Sequence, residues 1–149
     1  MKKSSIPTLP CACASLRRAT RTVSSLYEDA LRPSGLKISQ FTILQALSIT
    51  GEINQGRLGE ILAMDSTTLT RTLRILERQG WLTKNPGKDR REVWLKLSTS
   101  GSAQLQSALP LWEAAQAKLR KQLGKNRWNE LTASSDHITA TLTQGDSAQ

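Results

Sequence analysis

Histidine, tyrosine and phenylalanine each occur once in this chain, and cysteine occurs twice. A single imidazole, His137, leaves no partner set for a Ser–His or Cys–His nucleophile or for a zinc site. Its neighbour Asp136 lies about 100° away around a helix and points elsewhere, so His137 reads as a surface or interface residue. The sequence holds no Gly-rich phosphate loop, no nucleophile elbow and no cluster of metal ligands. The expectation is a protein that is not an enzyme and has no cofactor and no metal. No apolar run approaches the roughly 18 residues of a membrane span. Lys2 and Lys3 are not followed by the apolar stretch of a secretory signal. The expected setting is therefore the cytoplasm, with no membrane partner. Aromatics are limited to four Trp, one Tyr and one Phe, so the core must rest on Leu, Ile, Val and Ala. No internal repeat is present, and 149 residues suffice for a single domain's core. Residues 1–9 offer little packing surface, and the chain from Gly145 onward reads as frayed.

Positive charge, by contrast, is abundant, with a formal net charge of +9. It is concentrated between Ser66 and Arg91. Seven cations fall there (Arg71, Arg74, Arg78, Lys84, Lys88, Arg90, Arg91) against two acids, Glu77 and Asp89, a surplus of five. Such a balance favours an acidic polymer as partner, although it would also suit a membrane surface. At about 100° per residue, Thr67, Arg71, Arg74 and Arg78 share a narrow sector of a helix, with Thr70 at its edge. Leu69, Leu73 and Leu76 gather on the opposite side, which is therefore expected to be packed. Asp65 or Ser66 is a suitable N-cap, and Gly80 is suited to end the helix in the left-handed conformation. Ser66, Thr67, Thr68 and Thr70, at the helix start, are placed to meet phosphates or base edges. Arg71 and Arg74 are able to fork onto guanine. The plain alternative is a solvated face on an ordinary surface helix.

The flanks weigh against that alternative. Upstream, Asn54–Leu62 reads as a short amphipathic helix with Leu58, Ile61 and Leu62 inward, joined to the next helix by the tight connection Ala63-Met64-Asp65. Downstream, Trp81–Lys84 and Glu92–Leu97 read as two strands. Val93, Leu95 and Leu97 alternate with Glu92, Trp94 and Lys96, the period of a half-buried strand. Pro86-Gly87 is expected to supply the turn, and Trp81 and Trp94 to pack at the hairpin base. Lys88, Arg90 and Arg91 then stand in solvent at the hairpin tip. The pattern is mainly α with a small β-hairpin wing, a winged helix-turn-helix.

With these residues in view, the chain resembles the MarR family of transcription regulators. The strings that carry the resemblance are QFTILQAL (Gln40 to Leu47), LGEILAMDSTTLTRTLRILERQGWL (Leu58 to Leu82) and KDRREVWLKLSTSG (Lys88 to Gly101). The resemblance implies a homodimer on pseudo-palindromic double-stranded operator DNA, usually a repressor released by a small-molecule effector, such as a phenolic compound, or by oxidation. It further implies that Thr67, Thr70, Arg71 and Arg74 face the major groove. Arg90 or Arg91 would enter the flanking minor groove, with Asp89 orienting the wing arginine through a charge-assisted bond. Spacing does not decide between the two arginines. A non-sequence-specific basic DNA-binding or architectural protein is the alternative, although stacking aromatics or apolar wedges are expected in such a protein.

Outside the winged motif, apolar residues recur at alternating steps of three and four. They are Leu16, Ala19, Val23, Leu26 and Ala30; then Leu105, Leu109, Trp112, Leu119 and Leu123, with Gln116 among them; then Trp128, Leu131, Ile138 and Leu142, with Ser135 among them. Such seams suit either packing within one subunit or a two-fold dimer interface, and Gln116 and Ser135 are placed to fix register. Pro110 is expected to bend or break the long helix after Thr99. Gly124-Lys125 ends that helix, and the last begins near Asn126. The resulting division is an N-terminal arm and dimerisation helix (1–35), a winged helix-turn-helix (36–98) and C-terminal dimerisation helices (99–149).

Cys11 and Cys13 remain. If the first helix begins around Pro10, both lie in its opening turn. The helix dipole and Arg17 would there favour thiolate. Three readings stay open: small half-buried residues in a reducing cytoplasm, a redox sensor, and a soft-metal pair that lacks a third ligand. The resemblance includes relatives that sense peroxide through a first-helix cysteine. Those relatives set partner tyrosines beside it, whereas Tyr27 is the only tyrosine here.

Overall fold

The computed structural model describes residues 6–143. Among the described residues, six α-helices, one 3-10 turn and one small sheet make up the fold, in the order the sequence implies. Helix α1 spans Ala12–Leu31, with Cys11 at its N-cap, so it starts two residues after Pro10. Before it, the chain folds back on the helix. The Arg18 guanidinium donates to the Pro7 carbonyl at 3.0 Å. One 3-10 turn, Arg32–Ser34, leads through Gly35 at φ +74° to α2, Ile38–Thr50. The N-terminus of α2 is satisfied in two ways. Gln40 Oε1 accepts from the Lys37 N–H, and Glu28 Oε1 reaches over from α1 to accept from the Ile38 N–H at 3.1 Å.

The chain then forms β1 (Ile53–Asn54), α3 (Gln55–Leu62), α4 (Ser66–Arg78), β2 (Leu82–Pro86) and β3 (Val93–Leu97). The three strands make an antiparallel sheet in the order β1-β3-β2. The wing is therefore not a lone hairpin, because Ile53 and Asn54 pair with Leu95 and Trp94. Finally α5 (Thr99–Leu123) and α6 (Lys125–Thr143) run out from the sheet. Helix α5 continues through Pro110 without a break. The frayed stretch expected from Gly145 lies outside the described residues.

One core joins these elements. Phe41, Ile43, Leu44 and Leu47 of α2 meet Leu58 of α3, Leu69, Leu73 and Leu76 of α4, and Leu95 of β3. Leu31, Leu105 and Ala108 belong to the same core, and the Trp112 ring stacks on Phe41 with centroids 5.6 Å apart. A smaller cluster of Tyr27, Ala115 and Leu119 holds α1 against α5. There the Tyr27 hydroxyl donates to Gln116 Oε1. Gln116 thus pairs within the subunit and ties two of the expected seams to each other. Along α6, by contrast, no residue is buried, and Leu131, Ile138 and Leu142 stand exposed.

Three local expectations are corrected. Ile61 is 46% exposed, not inward. An eight-residue helix has room for one narrow inner stripe, and Leu58 with Leu62 fills it. Pro86 is not in the turn but is the last residue of edge strand β2, opposite Val93. The chain reverses after it, where the Glu92 N–H bonds the Asp89 carbonyl at 3.0 Å. Trp94, opposite Asn85, lies near the tip rather than at the base of the hairpin. Its Nε1 would be 2.9 Å from a Cβ placed on Gly87, and the Glu92 side chain would be nearer still. Only glycine fits at position 87 without displacing that side chain.

Candidate nucleic-acid interface

The orientation of α4 is set from both ends. At its start, Asp65 Oδ1 accepts from the Thr68 N–H at 2.8 Å, and Oδ2 accepts from the Thr68 hydroxyl at 2.6 Å. The hydroxyl first, and the main-chain N–H next, hold the Asp65 carboxyl below its ordinary range. Thr68, one of the residues expected at the interface, is thus committed to the cap. At the far end, Gly80 takes φ +74°. Its N–H bonds the Glu77 carbonyl, and the Trp81 N–H bonds the Leu76 carbonyl at 3.0 Å. The Gly80 carbonyl receives the hydroxyls of Ser98 and Ser100 at 2.6 and 2.7 Å, which clamps the exit of α4 to the start of α5. Gly101 completes the clamp. A Cβ there would fall 1.8 Å from the Trp81 carbonyl oxygen.

With Leu69, Leu73 and Leu76 buried, the opposite face of α4 is presented outward. Ser66, Thr67, Thr70, Arg71 and Arg74 line one shallow depression of about 370 Å³. Ser66, Thr67, Arg71 and Arg74 are exposed, and Thr70 is half-buried. Among the described residues the ion pairs are Arg32–Asp29, Arg57–Glu60 and Lys84–Glu77. Arg71, Arg74 and Arg78 take part in none of them. Lys84 is removed from the free cations, since its Nζ lies 3.0 Å from Glu77.

In the wing, Lys88, Asp89, Arg90 and Arg91 are all exposed. Asp89 Oδ1 accepts from the main-chain N–H of Arg91 at 3.1 Å, not from a guanidinium. It shapes the turn and leaves both arginine side chains unpaired among the described residues. Arg91 also borders a larger open cavity of about 1180 Å³, whose wall includes Arg57, Glu60, Ile61 and Thr143.

Two polar residues not anticipated from the sequence support this surface. Asn54 caps α3, its Oδ1 accepting from the Gly56 N–H at 2.8 Å. Gln55, the first residue of α3, donates from Nε2 to the Thr70 hydroxyl at 3.2 Å. An Asn before a short apolar-periodic run is a legible cap signal; the Gln55 contact spans fifteen residues and has no local signature. Cys11 and Cys13 are both exposed and unbridged, at the N-cap and in the first turn of α1. Cys11, at the N-cap, has extended backbone (φ −89°, ψ 116°), so only Cys13 lies within the helix. Among the described residues, no group of three or more His, Cys, Asp or Glu is arranged to hold a metal ion. Nor is any described helix long and apolar enough to cross a membrane.

Comparison with known proteins agrees with this architecture. The model of the MarR family matches residues 36–93. The HTH-type transcriptional regulator YwoH of Bacillus subtilis is 31% identical over 83 residues, 56% of this chain and 61% of that protein. The multiple antibiotic resistance protein MarR of Escherichia coli is 33% identical over 79 residues, 52% of this chain and 55% of that one. The matched region thus spans less than two thirds of these relatives' length. Similarity to the Mycobacterium tuberculosis transcriptional regulator MosR, solved in complex with DNA, extends further. It reaches 33% identity over 90% of this chain and 97% of that one, with a TM-score of 0.81. The family match, the three-stranded wing and the structural match over 90% of this chain agree, and the chain belongs to the MarR family.

Proposed function

We propose that this chain is a homodimeric, sequence-specific regulator of transcription that binds double-stranded DNA and acts as a repressor at a pseudo-palindromic operator. The observation that carries the reading is the unpaired pair Arg71 and Arg74. They project with Ser66, Thr67 and Thr70 from a helix whose other face is locked in the core. Unpaired guanidiniums beside hydroxyls match the acceptors of a major groove. Lys88, Arg90 and Arg91 on the wing match the phosphates or minor groove alongside. MosR, the relative described above, was crystallised with DNA. An enzymatic reading has no support, since these relatives are transcriptional regulators.

Affinity in this reading has two parts. Cations release counterions and give binding that falls with salt. Base-edge contacts add about 1–3 kcal/mol of discrimination for each good bidentate pair. The exposed apolar residues Leu16, Leu131, Ile138 and Leu142 supply the dimer seam. Dimerisation sets two recognition helices about one helical turn of DNA apart. The protein would act in the cytoplasm. A small molecule in the cavity beside Arg91, or oxidation at Cys11 and Cys13, would release the operator only by favouring a mismatched spacing of the two helices.

Selection of bound duplexes from a randomised pool tests the proposal, repeated with peroxide, with phenolic compounds, and on a chain carrying Cys11→Ser and Cys13→Ser. Enrichment of a two-fold symmetric motif is expected. A pool that emerges without sequence preference would overturn it. An undiminished peroxide response in the serine variant would remove the thiols from the switch.

A further inference from the structure

Thr70 differs from other helical threonines of this chain in what its hydroxyl does. Thr72, two residues on, donates its proton to the carbonyl of Thr68 at 3.1 Å. Thr42 and Thr139 likewise donate to the carbonyl one turn earlier. This back-bonding is the ordinary fate of a threonine inside a helix. Thr70 makes no such bond among the described residues. Its oxygen instead accepts from Gln55 Nε2 at 3.2 Å, across the helix-turn-helix. A hydroxyl has one proton to give and two lone pairs to receive. With one lone pair held by Gln55 and the carbonyl of its own helix unused, the Thr70 proton is left to point outward. What lies outward is the depression that Thr70 lines with Ser66, Thr67, Arg71 and Arg74.

We infer that Gln55 is a positioning residue for sequence readout: it fixes the Thr70 hydroxyl as a hydrogen-bond donor toward an acceptor on a base edge. The inference rests on the DNA-binding reading above and deepens it. Gln55 need not touch DNA. By engaging one lone pair, it orients the hydroxyl so that the Thr70 proton is directed to the groove. In the first half of a recognition helix, a fixed donor favours a base pair that presents N7, O6 or O4 at that position.

The test uses the full chain, the duplex it selects from a randomised pool, and the set of duplexes carrying each single base-pair change. Gln55→Ala and Thr70→Val are each expected to flatten preference at the same base pair by about 2- to 10-fold, the worth of one neutral hydrogen bond. The double variant should lose no more than either single one. Thr70→Ser, which keeps the hydroxyl, should retain the preference. The salt slope should be unchanged in all four, because no cation is removed. Should Gln55→Ala fail to fold, Gln55→Met keeps the bulk and helix propensity without the donor. Additive losses in the double variant, or losses at different base pairs, would overturn the inference alone. Equal weakening on every sequence would put Thr70 on a phosphate and also overturn it. A wild-type chain with no preferred sequence would remove the reading beneath it.

Discussion

Arg74 sits in the middle of the exposed sector of α4, with no carboxylate partner among the described residues and a buried leucine on either side of it in sequence space, Leu73 and Leu76. A guanidinium left unpaired by its own fold keeps its five donors for a ligand. Arg74→Ala should therefore lose about 1–3 kcal/mol of preference for the selected operator while weak, salt-sensitive binding persists. Competition between operator and scrambled duplex measures this, and an undiminished preference would take Arg74 out of base readout. A second residue is informative for the opposite reason. Ala63, in the turn between α3 and α4, is the one non-glycine residue with positive φ among those described, at +49°. L-residues pay about 1–2 kcal/mol in that region, partly offset by the greater chain entropy glycine brings. Ala63→Gly should raise stability by about 0.5–1 kcal/mol in denaturant unfolding; a lower midpoint would show that the methyl group has a packing role.

At the scale of elements, α4 and β3 were legible because their periods are strong and their ends are marked. Asp65 and Gly80 bracket the helix, and Val93, Leu95 and Leu97 alternate along the strand. What sequence reasoning missed depends on neighbours in space. Strand β1 is two residues long and exists only through its pairing with β3. Tyr27 and Gln116 are 89 positions apart, so the seam break at Gln116 could not reveal its partner. Pro86 carries a turn signal in sequence yet sits at a sheet edge, where its missing N–H costs nothing. The wing itself makes a separate prediction. Replacing Arg90 and Arg91 together with Ala should weaken binding to all duplexes and lower the salt slope by about 1 to 2 per subunit. Binding titrations across a salt series check it, and an unchanged slope would mean that the wing does not touch DNA.

Across the whole molecule, the clamp of Ser98, Ser100 and Gly101 on Gly80 and Trp81 joins α4 to α5. The Glu28 carboxylate on the start of α2 joins α1 to the same lobe. These bonds would couple displacements of α1 and α5 to α4. In a dimer, this coupling would let the seam dictate the separation of two recognition helices. Leu131→Glu with Ile138→Glu, both exposed on α6, should convert a dimer to a monomer in sedimentation. Loss of the second half-site should then reduce operator affinity by roughly 100-fold or more. A variant with unchanged mass would place the seam elsewhere.

The most direct measurement is the affinity of the wild-type chain for its selected duplex and for a scrambled duplex of the same composition, at several salt concentrations. Both affinities should fall along straight lines in the logarithm of salt, with the selected duplex bound about 1,000-fold or more tightly throughout. Coincident lines for the two duplexes would contradict the claim that the outward face of α4 reads base pairs.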